Sequence, residues 1–397
     1  MPRAAKAIAR LSLLLALAPA CGGSAPAAAA GPEGAPISRT EGIEIPGADG
    51  WRWIPFPDST CTDATADPVT GRYRFSTSMT GLAIQWGPAS SADVVVFLQG
   101  GGACWDFVTC GGAAPLVDKA ASTGAFGPSE FASDVYDRYP ASWIRRENLP
   151  APLADATVVF VPYSTGDVHG GDRVTTYTGT GGESFTWHHV GRANVLAFLR
   201  RLGPTFPSPR KLVVAGSSGG GFGALASYLT LRERWPGAEA FLVDDSAPPL
   251  VGDAIPPSTR AGWYASWDLG GTLDPFCPQC RDDLSQALVE LLRRYPSDRM
   301  ALVSHLQDRV IRAFYGTVSL SPPTIGPMPA DRFEAELRRL ATTVLDPSPN
   351  GRFFYTAGDG HPTLDDPGRI TTPSPGLAAW LDQMLSGAPG WGSASDP

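Results

Sequence analysis

The segment AGSSGGGFG at residues 215–223 constrains the fold of this chain more than any other feature of its sequence. It directly follows the apolar run KLVV and directly precedes FGALASYLTLRERW, which has the composition of a helix. A flexible linker has no place between a buried strand and a helix, so this segment is a tight turn. Functional turns at such a junction bind phosphate, bind a dinucleotide or carry a catalytic serine.

Two of these turn types match the residues poorly. A phosphate-binding P-loop needs a lysine after its glycines, and none follows here. A dinucleotide fingerprint is weakly matched by residues 219–224, with an acid about twenty residues on at Asp244 or Asp245. The pattern G-x-S-x-G fits residues 216–220 better and places Ser218 at the nucleophile position. A glycine-serine turn without chemistry is the remaining alternative.

Strands and helices alternate along most of the chain. Short apolar runs that end in polar or glycine-rich loops predict buried strands; they are DVVVFLQGGG, ATVVFVPYSTGD, KLVVAGSSGG, EAFLVDDSAPP, RMALVSHLQD and GRFFYTAGDGH. Helical spacing of apolar residues occurs at 195–202, 284–291 and 333–341, and GLAAWLDQML predicts a closing helix. The aromatic stretches AGWYASWDLGG and TTYTGTGGESFTWHH are predicted to be loops that wall a pocket. We therefore expect an α/β fold with a mainly parallel central sheet and helices on both faces.

The N-terminal residues indicate export. Residues 1–20 have the basic start, short apolar run and small-residue end of an export signal, and 21–45 read as a Gly/Ala/Pro-rich linker. Residues 46–390 are predicted to form one domain, and no later segment is long enough to span a membrane. Cys21 follows APA, so a lipid on this residue is one option and release is the other. We expect an exported protein, either secreted or a periplasmic or outer-surface lipoprotein.

The cysteine spacing favours disulfides over metal sites, and the net charge argues against one class of partner. Cys104 and Cys110 flank a short loop and predict a local disulfide, which export permits. The single C-x-x-C of Cys277 and Cys280 has no second pair, which favours a disulfide over a metal or redox site. Cys61 is left odd. The net charge of −8 argues against nucleic acid as a partner.

A serine nucleophile needs a base, and the chain has five histidines. His361 lies in GDGHPTL just past the last predicted strand, which is where the histidine stands in the chain order of α/β-hydrolases. His305 lies inside a strand pattern, and His188 and His189 are expected to be capping or loop residues at the start of a helix.

His169 belongs to a different pattern. With Asp167 and Asp172 it could imitate a metal site, but hydrogen bonding within the loop is the favoured interpretation, and we expect no metal and no cofactor.

Two residues compete for the role of the acid. Asp308 follows the second predicted strand after the nucleophile turn, which is the usual position of the acid in α/β-hydrolases. Asp245 follows the earlier strand and is the alternative acid; otherwise it is a structural carboxylate beneath the nucleophile turn. A rival triad of Ser218, Asp245 and His305 would leave the GDGH segment unexplained.

Attack of a serine on an ester carbonyl creates a negatively charged oxygen, the oxyanion, which needs hydrogen-bond donors. The early loop FLQGGGACW supplies them, because its glycines can turn their backbone N–H groups toward the serine. We expect Gly101, Gly102 and Gly219 to form the oxyanion hole.

These segments in combination resemble the pectin acetylesterase family, which includes Notum-like carboxylesterases. FLQGGGACW….C is similar to the family's LEGGGWC….C, GSSGGGFGAL to its GSSAGG, VDDSAP to its DSG stretch, and SHLQDRVIRAFYG to its YDSWQ-type segment. The resemblance covers residues 54–380 and implies an α/β-hydrolase-like fold with Ser218, Asp308 and His361 as nucleophile, acid and base. The chain departs from the family where ACW replaces WC, which leaves open which aromatic residue walls the oxyanion loop. It departs again at Ser164, where relatives often have a cysteine, so Cys61 is expected to have lost a partner.

The expected function is a serine carboxylesterase that hydrolyses O-acetyl groups, on a polysaccharide such as pectin or on another small ester. An esterase for longer acyl chains, a serine peptidase and a non-catalytic glycan-binding lipoprotein are the alternatives. Trp105, Tyr163, Trp187 and Trp263 are candidate pocket walls or core residues. We expect a monomer that contacts a membrane only if Cys21 carries a lipid.

Overall fold

The computed structural model describes residues 34–66, 73–111, 126–316, 319–320, 323–324 and 326–397. The export signal, Cys21 and most of the predicted linker lie outside this part of the chain. Its strands are β1 (Ile43–Glu44), β2 (Trp51–Ala66), β3 (Tyr73–Gln85), β4 (Asp93–Leu98), β5 (Thr157–Val161), β6 (Arg173–Thr178), β7 (Ser184–His189), β8 (Lys211–Ser217), β9 (Glu239–Asp245), β10 (Arg299–His305), β11 (Ser319–Leu320), β12 (Pro323–Thr324), β13 (Gly351–Thr356) and β14 (Ala394–Ser395).

Ten of these strands form one mostly parallel sheet in the order β1-β2-β3-β5-β4-β8-β9-β10-β13-β14. The strands from β5 to β14 in this order are parallel, and β1, β2 and β3 form an antiparallel edge. All six predicted strands lie in the parallel part, because each is a run of apolar residues that both faces of the sheet can bury. In β4, Val94 and Val96 pack into one hydrophobic core, and Val95 and Phe97 pack into another.

Helices cover both faces of the sheet. The described α-helices are α1 (Phe107–Gly111), α2 (Pro128–Glu130), α3 (Gly191–Thr205), α4 (Gly219–Arg234), α5 (Pro257–Trp267), α6 (Leu269–Leu273), α7 (Ser285–Arg294), α8 (Arg309–Gly316), α9 (Ala330–Leu340) and α10 (Leu377–Leu385). Shorter π- and 3₁₀-helical turns occupy Phe131–Tyr136, Arg146–Asn148, Ala151–Leu153, Gly252–Ala254, Pro278–Arg281, Ala341–Leu345 and Pro367–Arg369. The predicted helices correspond to α3, α4, α7, α9 and α10. Among the described helices, none combines the length and the apolar character that a membrane span requires.

Three local predictions are wrong. AGWYASWDLGG forms α5 and α6 rather than a loop, and TTYTGTGGESFTWHH forms the antiparallel hairpin of β6 and β7. His188 and His189 therefore end a strand, and α3 begins after them at Gly191. Aromatic and β-branched residues of β6 and β7 pair across the hairpin. Such cross-strand contacts cannot be recognised from the sequence of one strand alone.

The folded region is wider than residues 46–390. Ile37 is buried, and its backbone N–H donates to the Thr205 hydroxyl over 2.7 Å. Residues 43–44 add a strand to one edge of the sheet, and 394–395 add a strand to the other. The predicted boundaries missed both ends because these segments are short and rich in Gly, Ala, Pro and Ser, and they are ordered by pairing with the sheet.

The cysteine predictions agree with the structure. Cys104 and Cys110 stand at disulfide distance, as do Cys277 and Cys280. Cys61 is a free and fully buried thiol. The hydroxyl of Ser164 contacts its sulfur directly, so the serine occupies the place of the partner that Cys61 was expected to have lost.

Candidate active site

Ser218 stands in a strained turn between β8 and α4. Its φ of 59° and ψ of −125° lie in a region that residues with a side chain rarely adopt. The turn needs glycine around it: a Cβ on Gly216 would lie 2.1 Å from the Gly220 carbonyl oxygen, and one on Gly220 would lie 2.0 Å from the Leu98 carbonyl oxygen. The Ser218 N–H donates to the Asp245 carbonyl over 2.8 Å. The glycines therefore allow the tight turn that holds the Ser218 side chain at the end of the sheet.

His361 and Asp308 form a hydrogen-bonded pair in which the acid is buried and the imidazole is partly accessible to the cavity. A 2.7 Å hydrogen bond joins His361 Nδ1 to Asp308 Oδ2, and the Asp308 side chain is fully buried. The other carboxylate oxygen accepts hydrogen bonds from the backbone N–H groups of Val310 and Ile311, at 2.9 and 3.0 Å. Asp308 thus caps α8 and holds the imidazole at the same time, which fixes the ring and leaves Nε2 as its second functional atom.

Ser218 and His361 line one cavity. No hydrogen bond joins their side chains in the described part of the chain. Catalytic hydrogen bonds are often long in proteins without substrate and shorten when substrate binds. The structure therefore brings the nucleophile candidate to the cavity of the His–Asp pair.

Asp245 links the strand before Ser218 to the histidine loop, which carries His361. Its fully buried carboxylate accepts hydrogen bonds from Ser217 Oγ at 2.7 Å, Thr363 Oγ1 at 2.6 Å and the Leu364 N–H at 2.9 Å. It joins the nucleophile strand to the segment that follows His361, and it makes no hydrogen bond to either His361 or His305 in the described residues. These hydrogen bonds to Asp245 are here called the brace. They include that of Ser217, whose role the sequence did not indicate.

The early glycine loop packs against the start of α4. Gly102 has a φ of 82°, and a Cβ on Gly219 would lie 3.0 Å from the Gly102 carbonyl oxygen and 3.7 Å from the Gly101 nitrogen. Gly219 is the first residue of α4, so its N–H has no partner within the helix. The three predicted donors Gly101, Gly102 and Gly219 therefore lie together beside Ser218.

The side chains of Tyr163 and His169 hold the glycine loop in place, a role that the sequence did not predict for either residue. Tyr163 donates its hydroxyl proton to the Gly102 carbonyl over 3.0 Å and accepts from the Val168 N–H over 2.8 Å. His169 Nε2 lies 2.8 Å from the Gln99 carbonyl oxygen, and burial lowers the pKa of His169 to about 4. A neutral imidazole can donate Nε2–H to that carbonyl, so both side chains fix the glycine loop.

Asp167 and His169, which could imitate part of a metal site in the sequence, make hydrogen bonds instead. The buried Asp167 carboxylate accepts from Thr165 Oγ1 at 2.6 Å and from the Gly191 N–H at 2.7 Å, and burial raises its pKa to about 6. Asp172 instead faces Arg192 at 3.5 Å. The one group of ligand atoms within metal distance among the described residues is Cys104, Cys110 and His189, and both of these sulfurs belong to a disulfide.

His305 lies beside the histidine loop, but among the described residues its ring makes no hydrogen bond to the side chains of Ser218, Asp245 or Asp308. It ends β10 against Gly360, where a Cβ would lie 2.7 Å from His305 Nε2, and its buried Nδ1 has no hydrogen-bond partner among the described residues. Burial lowers the pKa of His305. The rival triad with Asp245 is not assembled.

Ser218 lines two cavities of different character. One, here called the polar cavity, has a volume of about 420 Å³ and a mixed lining in which apolar side chains stand beside the polar groups of His361, Arg138, Tyr139 and Asp365. The other is narrow, about 70 Å³, and almost wholly apolar. Its walls come from α4, α5, α6 and α8 and the segments between them: Ala226, Trp263, Leu269, Leu273, Leu284 and Phe314.

The four aromatic residues proposed as pocket walls have separate positions. Trp263 lines the apolar cavity, and Trp105 packs behind it with ring centroids 5.7 Å apart. Tyr163 supports the glycine loop, and Trp187 is buried in a small cluster around the Cys104–Cys110 pair. The sequence therefore identified one wall residue among the four.

Neither the protein-family models nor the curated proteins with which the sequence was compared match this chain.

Proposed function

We propose that this chain is a serine carboxylesterase with an α/β-hydrolase-like fold, which forms an acyl intermediate on Ser218. One observation carries the proposal: His361, joined to the buried Asp308 by a 2.7 Å hydrogen bond, lines the same cavity as the strained Ser218. A binding protein has no need of a base held by a buried acid beside a serine hydroxyl that lines the same cavity. The paired donors of the glycine loop add to this support.

In the proposed mechanism, His361 Nε2 takes the proton of Ser218 Oγ as this oxygen attacks the ester carbonyl carbon. The backbone N–H groups of Gly101, Gly102 and Gly219 stabilise the oxyanion of the tetrahedral intermediate. The carbon–oxygen bond to the alcohol breaks, and the alcohol leaves with the proton from His361. Water then loses a proton to His361 as it attacks the acyl-serine, and His361 returns this proton to Ser218 Oγ when the bond to the acid breaks, which regenerates both groups.

The resemblance to pectin acetylesterases supports O-acetyl groups on a polysaccharide as the substrate of this exported enzyme. The test is hydrolysis of p-nitrophenyl acetate and of acetylated pectin and xylan, with a peptide series beside them. We expect Ser218→Ala to lower kcat on the esters by on the order of 10³-fold or more, because the nucleophile is removed. Ser227→Ala, a buried serine of α4 outside both cavities, is the matched control. Unchanged turnover in folded Ser218→Ala protein would contradict the proposal.

The apolar cavity favours a second candidate substrate, an ester with a longer and slender acyl chain. An acetyl group would leave most of this cavity empty, whereas each methylene buried in it contributes about 0.8 kcal/mol, or about fourfold in kcat/KM. We therefore expect kcat/KM to rise from acetate through butyrate to hexanoate esters of p-nitrophenol. A decline from acetate onward would favour the acetyl substrate instead.

A substitution in the cavity wall separates these two substrates. Ala226 lines the apolar cavity, so Ala226→Leu is expected to lower the hexanoate-to-acetate ratio of kcat/KM about tenfold by occupying the space of the chain. Ala261 is exposed on α5 and lines neither cavity, and Ala261→Leu should leave the ratio unchanged. An equal effect of both variants would show that the ratio does not report on the cavity.

A further inference from the structure

The polar cavity contains a carboxyl group that the proposed mechanism does not use. Asp365 is half-buried and lines the cavity together with His361. No group in the described part of the chain donates a hydrogen bond to its side chain. A carboxyl group withdrawn from bulk water without a hydrogen-bond partner costs free energy, so a ligand or water has to satisfy it.

The position of Asp365 is fixed relative to the catalytic histidine candidate. Two of the three residues between them, Thr363 and Leu364, donate backbone and side-chain hydrogen bonds to the fully buried Asp245 carboxylate at 2.6–3.2 Å. The brace that holds His361 therefore also holds Asp365. A ligand group bound at Asp365 would be kept at a constant distance from His361.

Two further groups of the same cavity complement this carboxyl. Arg138 and Tyr139 line it, and the Arg138 guanidinium carbon lies 5.3 Å from the centre of the Tyr139 ring. Burial, and secondarily the charge of Asp245, raises the pKa of Asp365 to about 7, while Arg138 and His361 act in the opposite direction. Near neutral pH the carboxyl therefore both donates and accepts hydrogen bonds, as a hydroxyl group does. A planar donor, an amphoteric carboxyl and an aromatic ring are the groups that suit a polyhydroxylated ligand.

We propose that Asp365 and Arg138 bind hydroxyl groups of the alcohol portion of the ester, so that the site selects esters of polyhydroxylated alcohols such as sugars over aryl or alkyl esters. This inference rests on the proposed esterase function. It places the alcohol in the polar cavity next to His361, which has to return a proton to the departing oxygen. Asp365 and Arg138 are then specificity-determining residues, and they do not take part in bond cleavage.

The experiment compares two acetyl esters that differ in the alcohol, p-nitrophenyl acetate and partially acetylated xylo-oligosaccharides, which keep hydroxyl groups. We expect Asp365→Ala and Arg138→Gln each to lower the ratio of kcat/KM for the sugar ester to that for the aryl ester about tenfold, mainly through a higher KM for the sugar. Asp365→Asn keeps one donor and one acceptor and should recover a large part of the ratio. Asp366→Asn changes the neighbouring carboxyl, which does not line the cavity, and should leave the ratio unchanged.

Each outcome decides between the two proposals. If Asp365→Ala lowers both esters equally, Asp365 acts through His361 and the inference is wrong. If the ratio stays constant, or the wild-type protein hydrolyses the aryl ester alone, sugar recognition is also wrong while the esterase proposal stands. If the wild-type protein hydrolyses neither ester, the esterase proposal itself is contradicted.

Discussion

Two buried carboxylates lie near the histidine loop, and their hydrogen bonds assign them different roles. Asp308 contacts His361 directly and also caps α8. Asp245 receives hydrogen bonds from both β8 and the histidine loop, and it makes no hydrogen bond to the Ser218 hydroxyl or to the His361 imidazole. The first carboxylate is therefore expected to influence catalysis, and the second the stability of the fold.

Amide substitutions separate these two roles. Asp308→Asn should lower kcat on p-nitrophenyl acetate by about 10³–10⁴-fold, because the amide cannot hold the same imidazole tautomer, as in serine-protease triads. Asparagine caps helices as well as aspartate does, so the thermal unfolding midpoint should change little. Steady-state kinetics and thermal unfolding on the same preparations test both statements.

Asp245→Asn should show the opposite pattern. Its new NH₂ group would face the donors that now point at the carboxylate, and we expect a loss of about 3 kcal/mol or more in the free energy of unfolding. Activity per folded molecule should fall much less than in Asp308→Asn. If Asp245→Asn instead remains as stable as the wild type and loses turnover, the assignment of the acid to Asp308 is wrong.

The residues of the candidate triad were predictable because each belongs to a local pattern at a strand end. Ser218 has its glycine neighbours, and Asp308 and His361 each follow a recognisable apolar strand. Asp365 and Tyr163 were not predictable in the same way. Their roles arise where loops distant in sequence converge, and neither residue stands in a motif.

At the scale of elements, the site depends on how closely α4 approaches the end of β4. Gly220 lies at this contact, where a Cβ would lie 2.0 Å from the Leu98 carbonyl oxygen. The carbonyl is part of the sheet and cannot move aside easily. Glycine at this position therefore sets the distance between the turn that carries Ser218 and the glycine loop after β4.

We expect Gly220→Ala to lower the free energy of unfolding by about 2–3 kcal/mol, since the added methyl group overlaps backbone atoms. Ester hydrolysis should fall as well, because Ser218 and the oxyanion donors would separate. Gly237→Ala provides the control, as a Cβ there meets nothing within 4 Å. Denaturant unfolding of the three proteins measures the difference, and equal stabilities would show that α4 tolerates a larger separation.

The parallel core was predictable from apolar runs of strand length, while the β6–β7 hairpin and helix α5 were not. In α5 the aromatic residues Trp263 and Trp267 face inward and stack on one another, with ring centroids 5.5 Å apart. Clustered aromatic side chains are compatible with loops, strands and helices alike. Their conformation is decided by the apolar cavity and core that they cover, which the local sequence does not describe.

At the scale of the whole molecule, the last residues of the chain connect the sheet edge to the histidine loop. The buried Trp391 packs on Trp380 with ring centroids 5.4 Å apart, and Trp380 Nε1 donates to the Gly392 carbonyl over 2.7 Å. The Asp396 carboxylate accepts from the Ala357 N–H over 2.8 Å, at the start of the segment that leads to His361. These residues lie beyond the predicted boundary at 390, and their contacts tie that edge of the sheet to the site.

Removal of residues 391–397 should therefore affect stability and activity together. Loss of the buried tryptophan alone is worth about 3–5 kcal/mol, and we expect the thermal unfolding midpoint to fall by about 5 °C or more. Trp391→Ala in the full chain removes the packing but keeps Asp396. If Asp396 anchors the histidine loop as its hydrogen bond indicates, the truncated protein should have a lower kcat on p-nitrophenyl acetate than Trp391→Ala, measured at a temperature where both are folded. Equal kcat values would mean that the C-terminal residues stabilise the sheet edge and do not position His361.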